Sequence, residues 1–463
     1  MISDPFGLPS WSSHNGTWEH AAAIQMAAML TGVAGPIVIL DDGEIPRPMN
    51  PLVPVLVAKG GRRPRSLDIL RSVPMEMDAQ LRRRFASFSP EGMREAYLML
   101  SKTRGRYREE PSHADRLIQM CEMLEQGEEM GASDPYSADW QPDALDRRLR
   151  TVLRPGFVIE NTSTSKLQDL VAGCHDSTAL LPGFPLAYLL RGGERAFEEF
   201  FSLVAGRDLE LPGRVIGNSL AQSERGEIRC ILTADPSEIA GAVETFPGFA
   251  NRVVLVNAGR PPAPSSWDEQ KVATFQHLFD RQAQMLTSKR RLGHYVEFQP
   301  WSPEGRRVRL DNQDAFLRAC DAAEVSCTGL EDLPAVLRWA FDLITPTGTS
   351  AHEEVAAIIH RLCLALLDDH VRLLGAAQRR ATRARQLELA EKLVRRISAK
   401  QPVRQRDLIR TFDNQKVERY RPVLDLLVEE GVLVEEPLNV FRLGTRQLES
   451  VRSRWLGDPV LLS

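Results

Sequence analysis

The sequence has few cysteines, few aromatic residues and no excess of positive charge. Six cysteines occur among 463 residues, and no two of them form a Cys-x-x-Cys pair, which excludes a disulfide scaffold and a cysteine-rich zinc site. We therefore expect a reduced, cytoplasmic protein. The net charge of −4 excludes a chain that is basic throughout, although it allows one basic module that is balanced elsewhere. The aromatic fraction of 6%, without alternation of aromatic and basic residues, argues against a stacking surface for single-stranded nucleic acid.

One uncharged run, residues 21–40, is about as long as a membrane span, but Gly32, Gly35 and Pro36 interrupt it. Polar and acidic residues precede the run where a signal peptide has basic ones. We therefore prefer a buried helix over 18–31 followed by a buried strand over 36–40, and we expect no membrane association.

Short apolar runs alternate with helical patterns up to residue 262. Strands separated by helices indicate an α/β core with a largely parallel sheet. Beyond Pro261-Pro262 the pattern is helical, with a long core helix over 353–374 whose end, Asp368-Asp369-His370, is predicted to be solvated. The candidate strands are 52–58, 157–159, 179–181, 230–233 and 253–256.

The pattern divides the chain into six segments. We predict an N-terminal helix with the first core strands, a helical insertion, the remainder of the α/β core, a helical region, a basic C-terminal module and a tail. Their bounds are 1–66, 67–154, 155–262, 263–377, 378–445 and 446–463.

Basic residues concentrate near the C-terminus. Between residues 379 and 421 there are 14 basic and five acidic residues, whereas 423–436 has five acidic residues and no basic one. Lysine accounts for only eight of the 58 basic residues in the chain. An arginine bias is typical both of a GC-rich genome and of phosphate recognition, and the clustering marks a separate module that favours DNA binding.

The C-terminal module has the layout of three helices and a hairpin. Helices are predicted over 383–398 and 403–412, a third ends at Gly431, and strands 432–434 and 440–443 form the hairpin. The segment Leu-Leu-Val-Glu-Glu-Gly-Val-Leu at 426–433 resembles the end of the third helix and the first wing strand of winged-helix proteins.

That resemblance implies DNA contacts. In the family the third helix enters the major groove, while other basic residues contact phosphates. Two alternatives remain: Pro422 can mark the start of the third helix, which would leave 415–421 in a separate turn, and winged helices also bind proteins. The implied groove-facing residues are Gln415, Lys416, Arg419 and Arg421, and the implied phosphate contacts are Arg404, Arg406 and Arg442.

The chain lacks the sequence of a phosphate-binding loop. A P-loop requires Gly-x-x-x-x-Gly-Lys-Ser/Thr after a strand, and the dipeptide Gly-Lys occurs nowhere in the sequence. At the corresponding place, after the strand at 52–58, Gly60 and Gly61 are followed by Pro64, Arg65 and Ser66. Arg65-Ser66 replaces the Lys-Ser pair, and Pro64 replaces the glycine before it.

The order of these elements resembles a domain-of-unknown-function family of bacterial, phage and mobile-element proteins related to primase-associated, RecA-like helicases. The resemblance implies a RecA-like P-loop-type core with a mostly parallel sheet and a helical insertion, followed by a helical region and a winged helix. Gly183-Phe184 stands where the family has an acidic pair at its Walker B strand. Arg252 matches a family arginine that can bind an anion, although an ordinary ion pair is the alternative. The segments that match are 21–30, 161–167, 178–184, 231–236 and 248–254.

The resemblance therefore implies a degenerate nucleotide site, made of Gly60, Gly61, Arg65, Ser66 and Arg252. Without the lysine and the acid, ATP hydrolysis loses both phosphate positioning and magnesium positioning. We expect a non-catalytic, DNA-binding component of a replication or mobile-element machinery, with no cofactor and no metal. Candidate partners besides DNA are a primase, another replication or defence protein, and further copies of the chain. The alternatives are an interaction scaffold in a defence or plasmid system, and an active motor with an unusual nucleotide site.

Overall fold

The computed structural model describes residues 17–34, 38–41, 46–48, 50–61, 65–86, 157–160, 162, 167, 170–171, 178–210, 223–258, 277, 280–286, 296–297, 303–344, 352–411 and 417–456. The first half contains α1 (Thr17–Ala34), β1 (Val38–Asp41), β2 (Pro46–Pro48), β3 (Pro54–Val57), α2 (Arg65–Ala86), β4 (Thr178–Pro185), α3 (Leu186–Val204), β5 (Arg207–Glu210), β6 (Ser223–Ala234) and α4 (Pro236–Thr245).

The second half continues with β7 (Val254–Asn257), β8 (Val296–Glu297), α5 (Pro303–Ala322), α6 (Thr328–Glu331), α7 (Leu333–Ile344), α8 (His352–Ala399), β9 (Val403–Arg404), α9 (Gln405–Thr411), α10 (Val417–Glu429), β10 (Leu433–Glu436), β11 (Val440–Leu443) and α11 (Leu448–Leu456). These elements form two compact units, and the described part of the chain is α/β and mostly helical.

The main sheet of the first unit is parallel, as the alternation of strands and helices predicts. Its strands lie in the order β4, β6, β3, β7, and each neighbouring pair is parallel. Beyond β4, Val158 makes one parallel bridge to Leu180, and β5 pairs with β6 in the antiparallel direction. The carboxyl ends of the four parallel strands therefore meet at one edge of the sheet, which is where α/β proteins place their ligand sites.

Helix α1 lies inside the first unit. Every residue from His20 to Ala34 is buried, and a helix that is apolar on all sides needs such surroundings. This burial accounts for the uncharged run in the sequence. Among the described residues, no helix combines the length and the apolar character that crossing a bilayer requires.

Side chains from α8 cover the free edge of β7. The Leu255 N–H donates to Nδ1 of His370 at 3.1 Å, and the Asn257 N–H donates to Oδ2 of Asp369 at 2.9 Å. His20 of α1 contacts the same Asp369 oxygen at 2.7 Å. The prediction that Asp369 and His370 form a solvated helix end is wrong, because both are buried and α8 continues to Ala399.

Helices α5 to α7 and the first part of α8 share one core with the sheet. Leu337 and Phe341 of α7 are buried in the same cluster as Leu30 of α1 and Ile231 of β6. These helices therefore belong to the first unit, which ends at Val371.

The second unit contains residues 372–463 and also 236–247. Its sheet has the order β10, β11, β9, with both pairs antiparallel. Leu393 and Ile397 of α8, Leu424 and Leu427 of α10 and Phe441 of β11 are buried in one core. Val451 and Trp455 of α11 join this core, so the unit extends past the predicted end at residue 445.

Candidate functional site

The loop after β3 is closed by hydrogen bonds within the chain. Gly60 and Gly61 have φ angles of 73° and 60°, which only glycine adopts readily. The Gly61 N–H donates to the Ala58 carbonyl at 3.0 Å, and the Gly60 N–H donates to Oδ2 of Asp235 at 2.7 Å. Asp235 follows β6, the neighbour of β3. The Asp235 carboxylate thus accepts a hydrogen bond from a loop N–H group at the place where the N–H groups of a P-loop bind phosphate.

The remaining residues of this predicted site are only partly described. Helix α2 begins at Arg65, so Arg65 and Ser66 occupy its first turn, as the helix after a phosphate loop requires. Their side chains lie outside the described part of the structure, and so do residues 62–64.

The end of β4 is apolar where a Walker B strand would carry its acid. Gly183 has a φ angle of 95°, at an irregularity in the pairing with β6 between Pro182 and Phe184. Phe184 is buried and stacks on Phe200 of α3 with ring centroids 5.8 Å apart. No residue of this strand is acidic, so β4 has no carboxylate to position a magnesium ion.

Arg252 does not lie with Gly60 and Gly61. It precedes β7, so it lies at the amino edge of the sheet, whereas the Gly60–Gly61 loop follows β3 at the carboxyl edge. Its guanidinium forms an ion pair with Glu198 at 2.9 Å and lies 5.6 Å from the ring centroids of Phe197 and Phe201. The structure therefore separates Arg252 from the predicted nucleotide site and gives it the ion pair that the sequence left as the alternative.

In the second unit, α10 is continuous through Pro422. The helix begins at Val417, five residues before Pro422, whose ring is exposed. The alternative in which the helix starts near Pro422 is therefore wrong. Gln415 and Lys416 lie outside the described residues, and the same is true of the side chain of Arg419.

Arg421 is half-buried, and its guanidinium is engaged by side chains of the second unit. Its Nη1 and Nη2 donate to the two carboxylate oxygens of Glu435 at 2.9 Å each, and its Nε lies 2.7 Å from Asp425. The guanidinium also covers the ring of Phe441 at 5.9 Å. The hydrogen bonds to Glu435 raise the pKa of Arg421. Arg421 therefore links α10 to β10, and its donors are engaged within the fold.

Arg404 and Arg442 lie on one face of the small sheet. Arg404 pairs with Val440, and Arg442 pairs with Val434, so their side chains share the face opposite to the buried Phe441. We call this the outer face; it consists of Arg404, Val434, Glu436, Val440 and Arg442. Arg442 forms an ion pair with Glu436, and Val434 is 43% exposed.

Further exposed cations lie elsewhere in the second unit. Arg406 of α9 is exposed and contacts Asp407 only at 3.9 Å. Among the described side chains, Arg395, Lys400 and Arg404 are exposed and have no ion pair. The sequence did not single out Arg395 and Lys400 for DNA contact, although both belong to its basic segment.

The described residues offer little metal or thiol chemistry. They contain no group of three or more His, Cys, Asp or Glu residues that could hold a metal ion. Burial raises the pKa of Cys320 and Cys327 to about 11, so both thiols stay protonated and unreactive at neutral pH.

Comparison with family models, with curated proteins and with solved structures finds no match to this chain.

Proposed function

We propose that this protein is a non-catalytic DNA-binding component of a replication or mobile-element machinery. A RecA-like core without its catalytic residues acts as a scaffold, and the second unit binds DNA as a winged helix. The observation that carries this proposal is the set of exposed cations on the second unit, on β9, α9 and β11, in a chain whose net charge is negative.

The winged-helix assignment is supported by the order of elements. A helix, the short strand β9, the two helices α9 and α10, and the hairpin β10–β11 follow one another, and β9 pairs with β11. In this arrangement α10 takes the place of the recognition helix and the hairpin that of the wing. Because Arg421 is held by Glu435 and Asp425, we no longer assign it a contact with the DNA groove. Groove contact is assigned to Gln415, Lys416 and Arg419, and phosphate contact to Arg404, Arg406 and Arg442.

The RecA-like assignment is supported by the order of strands. Strand β6 carries the matching segment 231–236 and lies between β3, which precedes the degenerate loop, and β4, which carries the matching segment 178–184. The segments that the resemblance matched to the nucleotide site therefore lie on neighbouring strands. All three segments reach the same carboxyl edge, although more than 170 residues separate the first from the last.

The non-catalytic assignment is supported by what stands at that edge. Phosphoryl transfer depends on positioning and on charge neutralisation by a cation and a magnesium ion. Here the Asp235 carboxylate binds the Gly60 N–H, and Phe184 stands at the acidic position of β4. A negative charge against the loop repels phosphate, and an aromatic side chain binds no magnesium.

The salt dependence of DNA affinity tests the proposal. Each phosphate contact that is lost lowers the slope of log affinity against log salt by about 0.9. We therefore expect the triple substitution Arg404→Ala, Arg406→Ala and Arg442→Ala to weaken binding and to lower the slope by about 3. The measurement is fluorescence anisotropy of labelled duplex DNA with the full chain at several salt concentrations.

A matched control removes the same charge from the first unit, through Arg195→Ala, Arg281→Ala and Arg307→Ala, all at exposed positions. This control should bind as the unchanged chain does. An equal loss of slope in both triple variants would mean that only net charge matters and would contradict the assignment.

The exposed apolar residues on the hairpin favour a second candidate, an interaction scaffold in a defence or plasmid system. Val434 and Leu438 are 43% and 87% exposed, and both lie in or beside the wing. If the unchanged chain shows no affinity for duplex or single-stranded DNA at low salt, this candidate replaces the first, and co-purification from the native host is the next measurement.

A further inference from the structure

The tip of the hairpin β10–β11 exposes an apolar side chain. Pro437, Leu438 and Asn439 connect the two strands, and Leu438 is 87% exposed. The other exposed large hydrophobic residues of the described chain have fractions between 37% and 43%. A leucine that protrudes this far gains nothing from the core of its own unit.

The backbone of this leucine is unfavourable as well. Leu438 has a φ angle of 70° and Asn439 one of 55°, both in the left-handed region. Asparagine adopts that region several times more often than other residues, whereas a bulky residue there is an outlier. The Asn439 carbonyl accepts a hydrogen bond from the Gln405 N–H at 2.9 Å, which fixes the tip. An asparagine or glycine at 438 would avoid both the strain and the exposed apolar surface, and costs of this kind indicate a function outside the fold.

Two cations lie on the strands next to the protruding leucine. Val440, two residues after Leu438, pairs with Arg404, and Arg442 lies on the same outer face. A protruding apolar side chain at the end of a face that carries positive charges matches nucleic acid, because the cations contact phosphates while the apolar group enters between stacked bases.

We propose that Leu438 is a wedge that inserts between neighbouring base pairs of duplex DNA, while Arg404 and Arg442 contact the flanking phosphates. This inference rests on the proposed DNA-binding function and adds how the duplex is deformed. Insertion unstacks one base step, so binding should favour sites with a flexible pyrimidine–purine step.

A duplex with 2-aminopurine at a central TA step tests the wedge, because the fluorescence of this base rises when it is unstacked. We expect the full chain to raise the fluorescence on binding. Leu438→Asn should abolish this rise and weaken affinity by about 10- to 100-fold, the value of one buried leucine side chain. Its unfolding temperature should stay the same or increase, because asparagine suits the left-handed backbone. Leu310→Asn, at an exposed leucine of the first unit, is the control and should change neither affinity nor fluorescence.

Two results would overturn the wedge. If the full chain binds the duplex without a fluorescence rise, or if Leu438→Asn binds as tightly as the unchanged chain, the wedge is wrong while salt-dependent DNA binding still stands. If the unchanged chain binds no DNA, the proposed function fails first, and the exposed leucine is then assigned to a protein contact.

Discussion

At the scale of single residues, His370 shows how position fixes a charge state. Its Nδ1 accepts a hydrogen bond from the Leu255 N–H, so the neutral ring must carry its proton on Nε2. Protonation of Nδ1 would place two donors against each other at the edge of β7. Burial lowers the pKa of His370 from 6.5 to about 4, and the ring is therefore neutral at physiological pH.

This pKa predicts a pH dependence of stability. Because the pKa is lower in the folded chain, the unfolded chain binds more protons between pH 6.5 and pH 4, and stability falls as the pH falls through this window. The full contribution is present above pH 6.5, and each pKa unit corresponds to about 1.4 kcal/mol, which gives a loss of about 3 kcal/mol by pH 4.

Urea unfolding of the unchanged chain and of His370→Asn, followed by tryptophan fluorescence, measures this loss. Asparagine keeps an acceptor near the position of Nδ1 but does not titrate. The free-energy difference between the two proteins should therefore change by about 3 kcal/mol from pH 7 to pH 4. If the two pH profiles are parallel, folding does not change the pKa of His370, and the lowered pKa is contradicted.

Residue types alone did not reveal the direction in which a side chain faces. Arg421 and Arg442 belong to the same basic module, yet Arg421 lies against Glu435 and Phe441, while Arg442 lies on the outer face of the sheet. Arg252 matched a motif in sequence, but the direction of β7 places it at the opposite edge from Gly60. Both outcomes depend on strand register and direction, which a pattern of residue types does not contain.

At the scale of elements, α1 approaches the sheet closely at Gly32. A Cβ atom at this position would overlap the side chain of Leu180 on β4, which is fully buried. Glycine is ordinarily unfavourable inside a helix by about 1 kcal/mol relative to alanine. Its presence in α1 is explained by this contact.

The same substitution should therefore have opposite effects in two helices. Gly32→Ala should destabilise the chain by about 1–2 kcal/mol, because overpacking costs about 1–3 kcal/mol and exceeds the gain in helix propensity. Gly375→Ala in α8 should stabilise it by about 0.5–1 kcal/mol, because the nearest atom to the new Cβ is the flexible end of Arg379, at 3.4 Å. Urea unfolding at pH 7 measures both, and stabilisation by Gly32→Ala would contradict the packing of α1 on β4.

Most of the elements could be predicted from the sequence, because their patterns are local. The apolar run at 52–58 and the one at 253–256 are strands of a parallel sheet, and the helix predicted at 18–31 is α1. The extent of α8 was missed: separate helices were predicted over 353–374 and 383–398, whereas one helix spans His352–Ala399. Gly375 and the charged residues around it gave the appearance of an end, but backbone hydrogen bonding continues through them.

At the scale of the whole molecule, compact units are defined by long-range packing. Residues 236–247 belong to the unit that begins at Arg372, and an ion pair joins Glu244 of α4 to Arg385 of α8 within it. A segment that leaves its neighbours in sequence to join a distant part of the chain cannot be identified from composition. The charge pattern of this unit was easier to predict, because the basic excess of 379–421 is visible in the sequence and lies within the unit.

The proposed lack of ATP hydrolysis belongs to the scale of the whole molecule, because it involves three separate segments: the loop at Gly60, the end of β4 and the end of β6. A ligand that binds only the folded state at 100 times its dissociation constant stabilises that state by about 2.7 kcal/mol. We therefore expect millimolar ATP with magnesium to leave the unfolding temperature unchanged in differential scanning calorimetry, and to be hydrolysed no faster than in buffer.

A rise in unfolding temperature that Arg65→Ala removes, together with ATP turnover, would instead support an active motor. A rise that survives Arg65→Ala would place the nucleotide away from the loop after β3, because Arg65 is the residue that replaces the phosphate-binding lysine there.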